Sequence, residues 1–211
     1  MKPEFGPTLG RMLEPRWRSS PRLVRVGAIA AGIGLVVLAI ALALTLESAH
    51  YSHGGPMPFS FSYRDLHRVA ADPGGYVKVQ SRNRDGALKY SYAVDPLHLP
   101  SYSGGLSGEL PLYASGYVRE LEGREHGFLL QGEGRTRVNK VPGYEVLYTT
   151  QVEGREMYGR NVLLLPERPG VRDGVTIVML ASPTASSQVS SPMEIASAGP
   201  LVDPLKTFSF G

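Results

Sequence analysis

The hydrophobic pattern divides the chain into two parts near residue 47. Residues 26–46, VGAIAAGIGLVVLAIALALTL, form an unbroken apolar run without a charged residue. At 1.5 Å per residue, a helix of this length would be about 32 Å long, enough to cross the hydrocarbon core of a bilayer. Beyond this run, apolar residues follow the spacing of strands and of one amphipathic helix. The pattern predicts a transmembrane helix followed by a folded domain.

The folded domain is predicted to span residues 58–211. Its first segment, PFSFSY, alternates aromatic residues with serines, which is typical of a half-buried strand. Residues 63–71 are compatible with a helical turn, and residues 76–81 and 88–94 predict a hairpin that turns at Asp85-Gly86. The domain therefore begins with strands.

One helix and a block of strands follow. Apolar residues at three- and four-residue spacing predict a helix from Leu110 to Leu121, with Pro111 in its first turn and Gly123 at its end. Later strands are predicted at residues 126–131, 135–140 and 174–182, with Gly132-Glu133-Gly134 as a turn. Residues 141–166 are predicted to form a hairpin, in which a two-residue turn at Glu153-Gly154 would place Tyr148 opposite Gly159. The fold class is α+β: an antiparallel β-sheet with helical cover, preceded by one N-terminal transmembrane helix.

Charge gives the predicted membrane helix an orientation. Residues 1–25 contain six basic and two acidic residues, whereas the rest of the chain contains sixteen basic and seventeen acidic residues. Because arginines crowd the N-terminal side of the apolar run, we expect a cytoplasmic tail at 1–25 and residues 47–211 outside the cell membrane. The domain itself has no basic excess, so a nucleic-acid partner is not expected.

A cleaved signal peptide is the alternative interpretation of the apolar run. Its apolar core would normally span about 7–15 residues and end at a small-x-small site, but this run is longer and a cut after Ala49 would place Glu47 at position −3. A retained anchor is therefore favoured. The segment 47–57, rich in glycine and proline, is predicted to be a flexible stalk.

Small residues in the apolar run would allow two helices to pack closely. Ala28 with Gly32, and Ala30 with Gly34, have the small-xxx-small spacing, which is a basis for a homodimer through this helix. Cysteine is absent from the chain, so neither disulfides nor an N-terminal lipid-modified cysteine are expected.

The domain resembles the PsbP-like family of α/β sandwiches, which includes the photosystem II extrinsic subunit and actinobacterial lipoproteins. The resemblance lies in the aromatic first strand PFSFSY, the helix Leu110–Leu121, the strand VPGYEVLYTT with its Pro142-Gly143 entry, the strand GVTIVML and the closing FSF. The family implies a non-catalytic binding or assembly domain, and no catalytic residue carries over from it.

Catalytic chemistry has one weak pair of candidates in this sequence, Asp95 and His98. They stand on a segment predicted to be a loop, and a carboxylate that orients an imidazole is half of a hydrolytic triad. No G-x-S-x-G motif supplies a nucleophile, so a membrane-tethered hydrolase is an alternative rather than the main interpretation. His50 and His53 lack further ligands, and neither a metal nor a cofactor is expected.

Binding residues are predicted instead. Tyr102 and Tyr113 would contribute to an apolar patch. A basic stripe on the sheet would contain Arg135, Arg137, Lys140, Arg155 and Arg160. The mixed charges near this stripe are also typical of a solvated sheet face. The expected function is a single-pass, non-catalytic binding or assembly module of the cell envelope, whose partner is an envelope protein or a small apolar ligand. A carrier for an apolar ligand is a further alternative.

Overall fold

A computed structural model gives the structure of residues 30–37, 48–100, 106–166, 171–184 and 189–211. The predicted tail at 1–25 and most of the predicted membrane helix lie outside these residues. Residues 30–37 are helical, and their larger apolar side chains are exposed. Within the described ranges there is no helix that is both long and apolar enough to cross a membrane.

Residues 48–211 form a compact unit of ten strands and two α-helices among the described residues. The strands are β1 Ala49–His53, β2 Phe59–Tyr63, β3 His67–Val69, β4 Val77–Arg82, β5 Leu88–His98, β6 Leu129–Val138, β7 Val141–Val152, β8 Arg155–Leu164, β9 Asp173–Ala181 and β10 Ser209–Phe210. The helices are α1 Leu106–Arg124 and α2 Val202–Thr207, with a 3-10 turn at Pro192–Glu194. The α+β class is confirmed.

Seven strands form one antiparallel sheet in the order β3-β4-β5-β9-β8-β7-β6. The predicted hairpin register is confirmed, because Tyr148 of β7 stands opposite Gly159 of β8. A Cβ atom at Gly159 would overlap the Tyr148 ring, so the bare backbone of this glycine is what lets the ring lie across the sheet.

Helix α1 covers one face of this sheet. Its buried side chains Leu110, Ala114, Tyr117 and Leu121 pack with residues of β7 and β8 in one apolar cluster. The predicted helix was shorter: α1 begins at Leu106, so Pro111 lies inside it and not in its first turn. We call this side of the large sheet the helix face.

A second, larger core lies on the opposite face. The small sheet β1-β2-β10 and helix α2 pack there, and Phe59, Phe61 and Phe208 meet Tyr92 and Ile177 of the large sheet in one cluster. Alternation along β2 buries both of its phenylalanines while Ser60 and Ser62 stay partly exposed, as the sequence predicts.

Three local predictions are corrected. The predicted stalk contains β1, which pairs with β2 along its whole length and places Tyr51 against Phe59 and Phe61. Residues 63–71, which were predicted to be compatible with a helical turn, contain the strand β3 instead. The predicted turn Gly132-Glu133-Gly134 lies inside β6, which is one continuous strand because its residues pair with β7 on both sides of the glycines.

Candidate functional site

A groove of about 610 Å3 opens on the helix face, beside the C-terminal end of α1. We call it the β5 groove. Its apolar lining includes Leu88, Ala93, Val178 and Leu180, and its charged lining comprises Asp72, Lys78, Asp95, Arg124 and Glu125. On this face of the sheet α1 packs over β7 and β8. The same face of β4, β5 and β9 lies beside the helix and contributes the open surface of the groove.

The turn before β4 forms one wall of the groove. The Gly75 amide donates a hydrogen bond to the Asp72 carbonyl at 2.8 Å, and Gly74 adopts a φ of 87° that favours glycine. This turn brings the Gly75 backbone against the carboxylate of Asp95. A Cβ atom on Gly75 would lie 2.6 Å from Asp95 Oδ1, so any larger residue at this position would displace the carboxylate.

Asp95 is the half-buried carboxylate of the groove. Burial raises its pKa above the usual 3.8, and the nearby negative charge of Asp72 raises it further, while Arg124 and Lys78 act in the opposite direction. Burial and the repulsion by Asp72 together outweigh the attraction by the two cations, so the net pKa is raised. Asp95 is therefore a carboxylate whose charge is incompletely compensated by the fold.

The cations of the groove already have carboxylate partners. Lys78 Nζ lies 2.9 Å from Asp72 Oδ2, and Arg124 Nε lies 3.2 Å from Glu125 Oε1. Within the described part of the chain, no hydrogen bond from either cation reaches Asp95. The lining thus holds three carboxylates and two cations, with its excess negative charge at Asp95.

A buried polar chain supports the wall between the groove and α1. The Tyr148 hydroxyl donates to Asn161 Oδ1 at 3.1 Å, and Asn161 Nδ2 donates to the Tyr117 hydroxyl at 2.7 Å. Burial raises the pKa of both tyrosines, so both phenols stay neutral at physiological pH. Since Tyr148 also lines the groove, this chain links the helix to the sheet and keeps the wall in one position.

The predicted pairing of Asp95 with His98 is wrong. Both residues belong to β5 and not to a loop, and because they are three positions apart their side chains project from opposite faces. His98 Nδ1 instead lies 2.6 Å from Oδ1 of Asp173, its partner in the β5–β9 register, and both side chains are largely exposed. The geometry gives Asp95 no imidazole to orient.

The predicted basic stripe is split between two faces. Arg135 stands opposite Tyr144 on the helix face. Arg160 is two positions before Val162 in β8 and therefore shares its face, which is the face that carries the larger core. Arg160 Nη2 lies 2.7 Å from Glu145 Oε2, and its Nη1 donates to the Ile195 carbonyl at 2.7 Å. Arg160 therefore anchors the segment after β9 to the sheet.

The other predicted binding residues that the structure describes do not line the groove. Arg137 donates to the Lys140 carbonyl within its own hairpin, at 3.5 Å. Tyr113 lies on α1 with its ring stacked near that of Tyr117, and burial followed by the charge of Glu120 raises its pKa. Tyr102 lies outside the described residues. Whether these tyrosines and arginines bind a partner stays a prediction.

Sequence reasoning missed most of the groove. It singled out Asp95 but did not consider Asp72, Gly75, Lys78 or Arg124 as site residues. The available signal was the pair of glycines directly before a strand, because paired glycines often permit close backbone approach. As for metals, no cluster of three or more suitable side chains occurs in the portion of the chain that is described.

Comparison with known proteins supports the fold. A scan against protein-family models gives no match, and neither does a search of the curated proteins. Among solved structures, LpqN of Mycobacterium tuberculosis, described as involved in cell envelope biogenesis, superposes with a TM-score of 0.51 at 10% identity, covering 78% of this chain and 91% of that one. Cyanobacterial PsbP (CyanoP) from Synechocystis gives 0.50 at 13% identity, covering 78% and 92%.

These two structures match most of their own length to the chain at low sequence identity, so what they establish is architecture. The segments that predicted the resemblance contain or lie within strands of this chain: PFSFSY contains β2, VPGYEVLYTT lies in β7 and GVTIVML lies in β9. The chain therefore has the PsbP-like α/β fold that its sequence predicts.

Proposed function

We propose that this protein is a non-catalytic binding module of the cell envelope that is held at the membrane by the helix predicted at 26–46. In this proposal residues 1–25 lie in the cytoplasm, residues 48–211 fold outside, and the β5 groove receives the ligand or partner. The observation that carries the proposal is the groove itself, which combines apolar lining with an incompletely compensated carboxylate.

The envelope location draws on two independent considerations. The apolar run of 21 residues with arginines on its N-terminal side has the length and charge asymmetry of a single-pass anchor. A structure with the same fold, LpqN, is described as involved in cell envelope biogenesis. A non-catalytic role agrees with the separation of Asp95 from His98 on opposite faces of β5.

Native mass spectrometry of the full chain, released gently from membranes, tests the binding role. We expect a mass above a whole multiple of 22.8 kDa, due to the retained ligand or partner. The variant Ala93→Phe places a ring in the groove and should lose this extra mass. Glu156→Phe, on an exposed site of β8, is the control and should keep it. A clean wild-type mass, or an excess retained by Ala93→Phe, would contradict the role of the groove.

The anchor is tested separately by fractionation and protease accessibility. We expect the chain to stay with membranes in alkaline carbonate, and an external protease to digest residues 48–211 but leave the tail intact. Release of the chain by carbonate would contradict the anchor, and protection of the domain would contradict its orientation. A dimeric mass that is lost on Gly32→Leu would support pairing through the small residues of the helix.

A further inference from the structure

The β5 groove contains one carboxylate, that of Asp95, whose negative charge has no hydrogen-bonded partner among the described residues. Lys78 is committed to Asp72, and Arg124 to Glu125, so these two cations and two carboxylates balance each other. Asp95 is left over. Among the described residues no side chain donates a hydrogen bond to its carboxylate, although the group is half removed from water.

Such a carboxylate is matched best by a donor that also carries positive charge. Removing an ionised group from water costs free energy unless a hydrogen-bonded opposite charge compensates for it. Charge-assisted hydrogen bonds are about twice as strong as neutral ones. The raised pKa of Asp95 reflects the absence of this compensation in the free protein, where burial and Asp72 both disfavour its charge.

The surroundings of Asp95 restrict the rest of the ligand. Ala93 lies on the same side of β5, and Val178 and Leu180 face the groove from β9, so an apolar surface adjoins the carboxylate. On its other side the carboxylate lies against the Gly75 backbone, where a Cβ atom would be 2.6 Å from Oδ1. A charged head on a slender apolar stem fits this arrangement, because the stem would cover the apolar strip.

We propose that the β5 groove binds an aliphatic ammonium group, with the nitrogen against the Asp95 carboxylate and the methylene stem along Ala93, Val178 and Leu180. The inference rests on the proposed binding function and adds the class of ligand. The shared chemistry is that of a lysine side chain on a partner protein and of a free alkylamine.

Methyl NMR on the full chain in phosphatidylcholine nanodiscs tests this ligand class. The probes are N-acetyl-lysine methylamide, n-butylammonium and the corresponding amide of norleucine, whose side chain has the same stem but no ammonium group. We expect the lysine amide to shift the methyl signals of Val178 and Leu180, and the norleucine amide to bind at least about tenfold more weakly. Tighter binding of the lysine amide than of butylammonium indicates a protein side chain as the source, and the reverse order indicates a free amine.

Two variants assign the effect to Asp95. Asp95→Asn should weaken binding of the lysine amide about tenfold or more. Glu156→Gln, which removes an exposed carboxylate from the opposite face, should leave this binding unchanged. Gly75→Ala keeps the charge but displaces the carboxylate, since its Cβ would meet Oδ1 at 2.6 Å, and should also weaken binding.

The outcomes separate the ligand class from the function. If the norleucine amide binds as tightly as the lysine amide, or Asp95→Asn changes nothing, the ammonium assignment is overturned while the groove remains a binding site. If no probe shifts either methyl signal and the native mass is clean, both the ligand class and the proposed function are overturned.

Discussion

The contact between Gly159 and Tyr148 allows a sharp test of the packing on the helix face. Gly159 lies directly beneath the Tyr148 ring, and a Cβ atom there would overlap three ring carbons. Gly159→Ala must therefore displace a buried ring that is also hydrogen-bonded to Asn161. Overpacking of this kind costs about 1–3 kcal/mol, and an unpaired buried amide oxygen adds about 1–3 kcal/mol. We expect a loss of about 2–6 kcal/mol in the free energy of unfolding.

Gly134→Ala is the matched control. Gly134 is also a strand glycine, but no heavy atom lies within 4 Å of its Cβ position. Alanine should be neutral there or stabilise by up to about 1 kcal/mol, because it restricts the unfolded chain. The assay is urea denaturation of residues 48–211 followed by circular dichroism, with equal m-values required for the comparison. Equal stabilities of the two variants would refute the packing argument.

Three further predictions concern other polar groups. Arg160→Ala should lower the free energy of unfolding by about 2–4 kcal/mol, because it leaves the mostly buried Glu145 unpaired, and it should speed hydrogen exchange near Ile195. The control Arg155→Ala breaks an exposed ion pair and should lower the free energy of unfolding by no more than about 1 kcal/mol. Carboxyl NMR should show that the pKa of Asp95 lies above 3.8 in the folded chain. The folded chain then binds this proton more tightly than the unfolded chain, so the contribution of Asp95 to the free energy of unfolding falls as pH rises from the unfolded pKa through the folded one, and Asp95→Asn should remove that contribution. Tyr117→Phe should cost about 1–2 kcal/mol in urea denaturation, because it removes the acceptor for the Asn161 amide; an unchanged midpoint would contradict that role.

Local patterns predicted the parts of the fold that depend on neighbouring residues. The hairpin of β7 and β8 and its Tyr148–Gly159 pair follow from alternation and one turn, both visible in a short stretch of sequence. β1 was missed because its polar residues and the glycines and prolines after it are typical of a stalk, and its pairing depends on Tyr51 reaching Phe59 and Phe61. β6 was divided because its two glycines look like a turn when the partner strand is unknown.

The groove depends on long-range topology and was therefore beyond local patterns. Asp95 meets Gly75 through the pairing of β4 with β5, and Arg124 arrives from the end of α1. His98 was predicted to pair with Asp95 because the two are close in sequence, but in the β5–β9 register His98 lies opposite Asp173. Nearness along a strand and nearness on one face are different properties, and only the register determines the second.

In-cell photo-crosslinking tests the binding role of the groove most directly. A photoreactive residue would replace Pro73, which lies exposed at the groove, and in a second strain Glu156, which lies exposed on the opposite face. The account predicts a defined adduct from position 73 that is absent from position 156 and is lost when Asp95→Asn is added. Equal adducts from both positions, or no adduct from position 73, would contradict the binding role, and an adduct from position 73 that persists in Asp95→Asn would contradict the ammonium assignment.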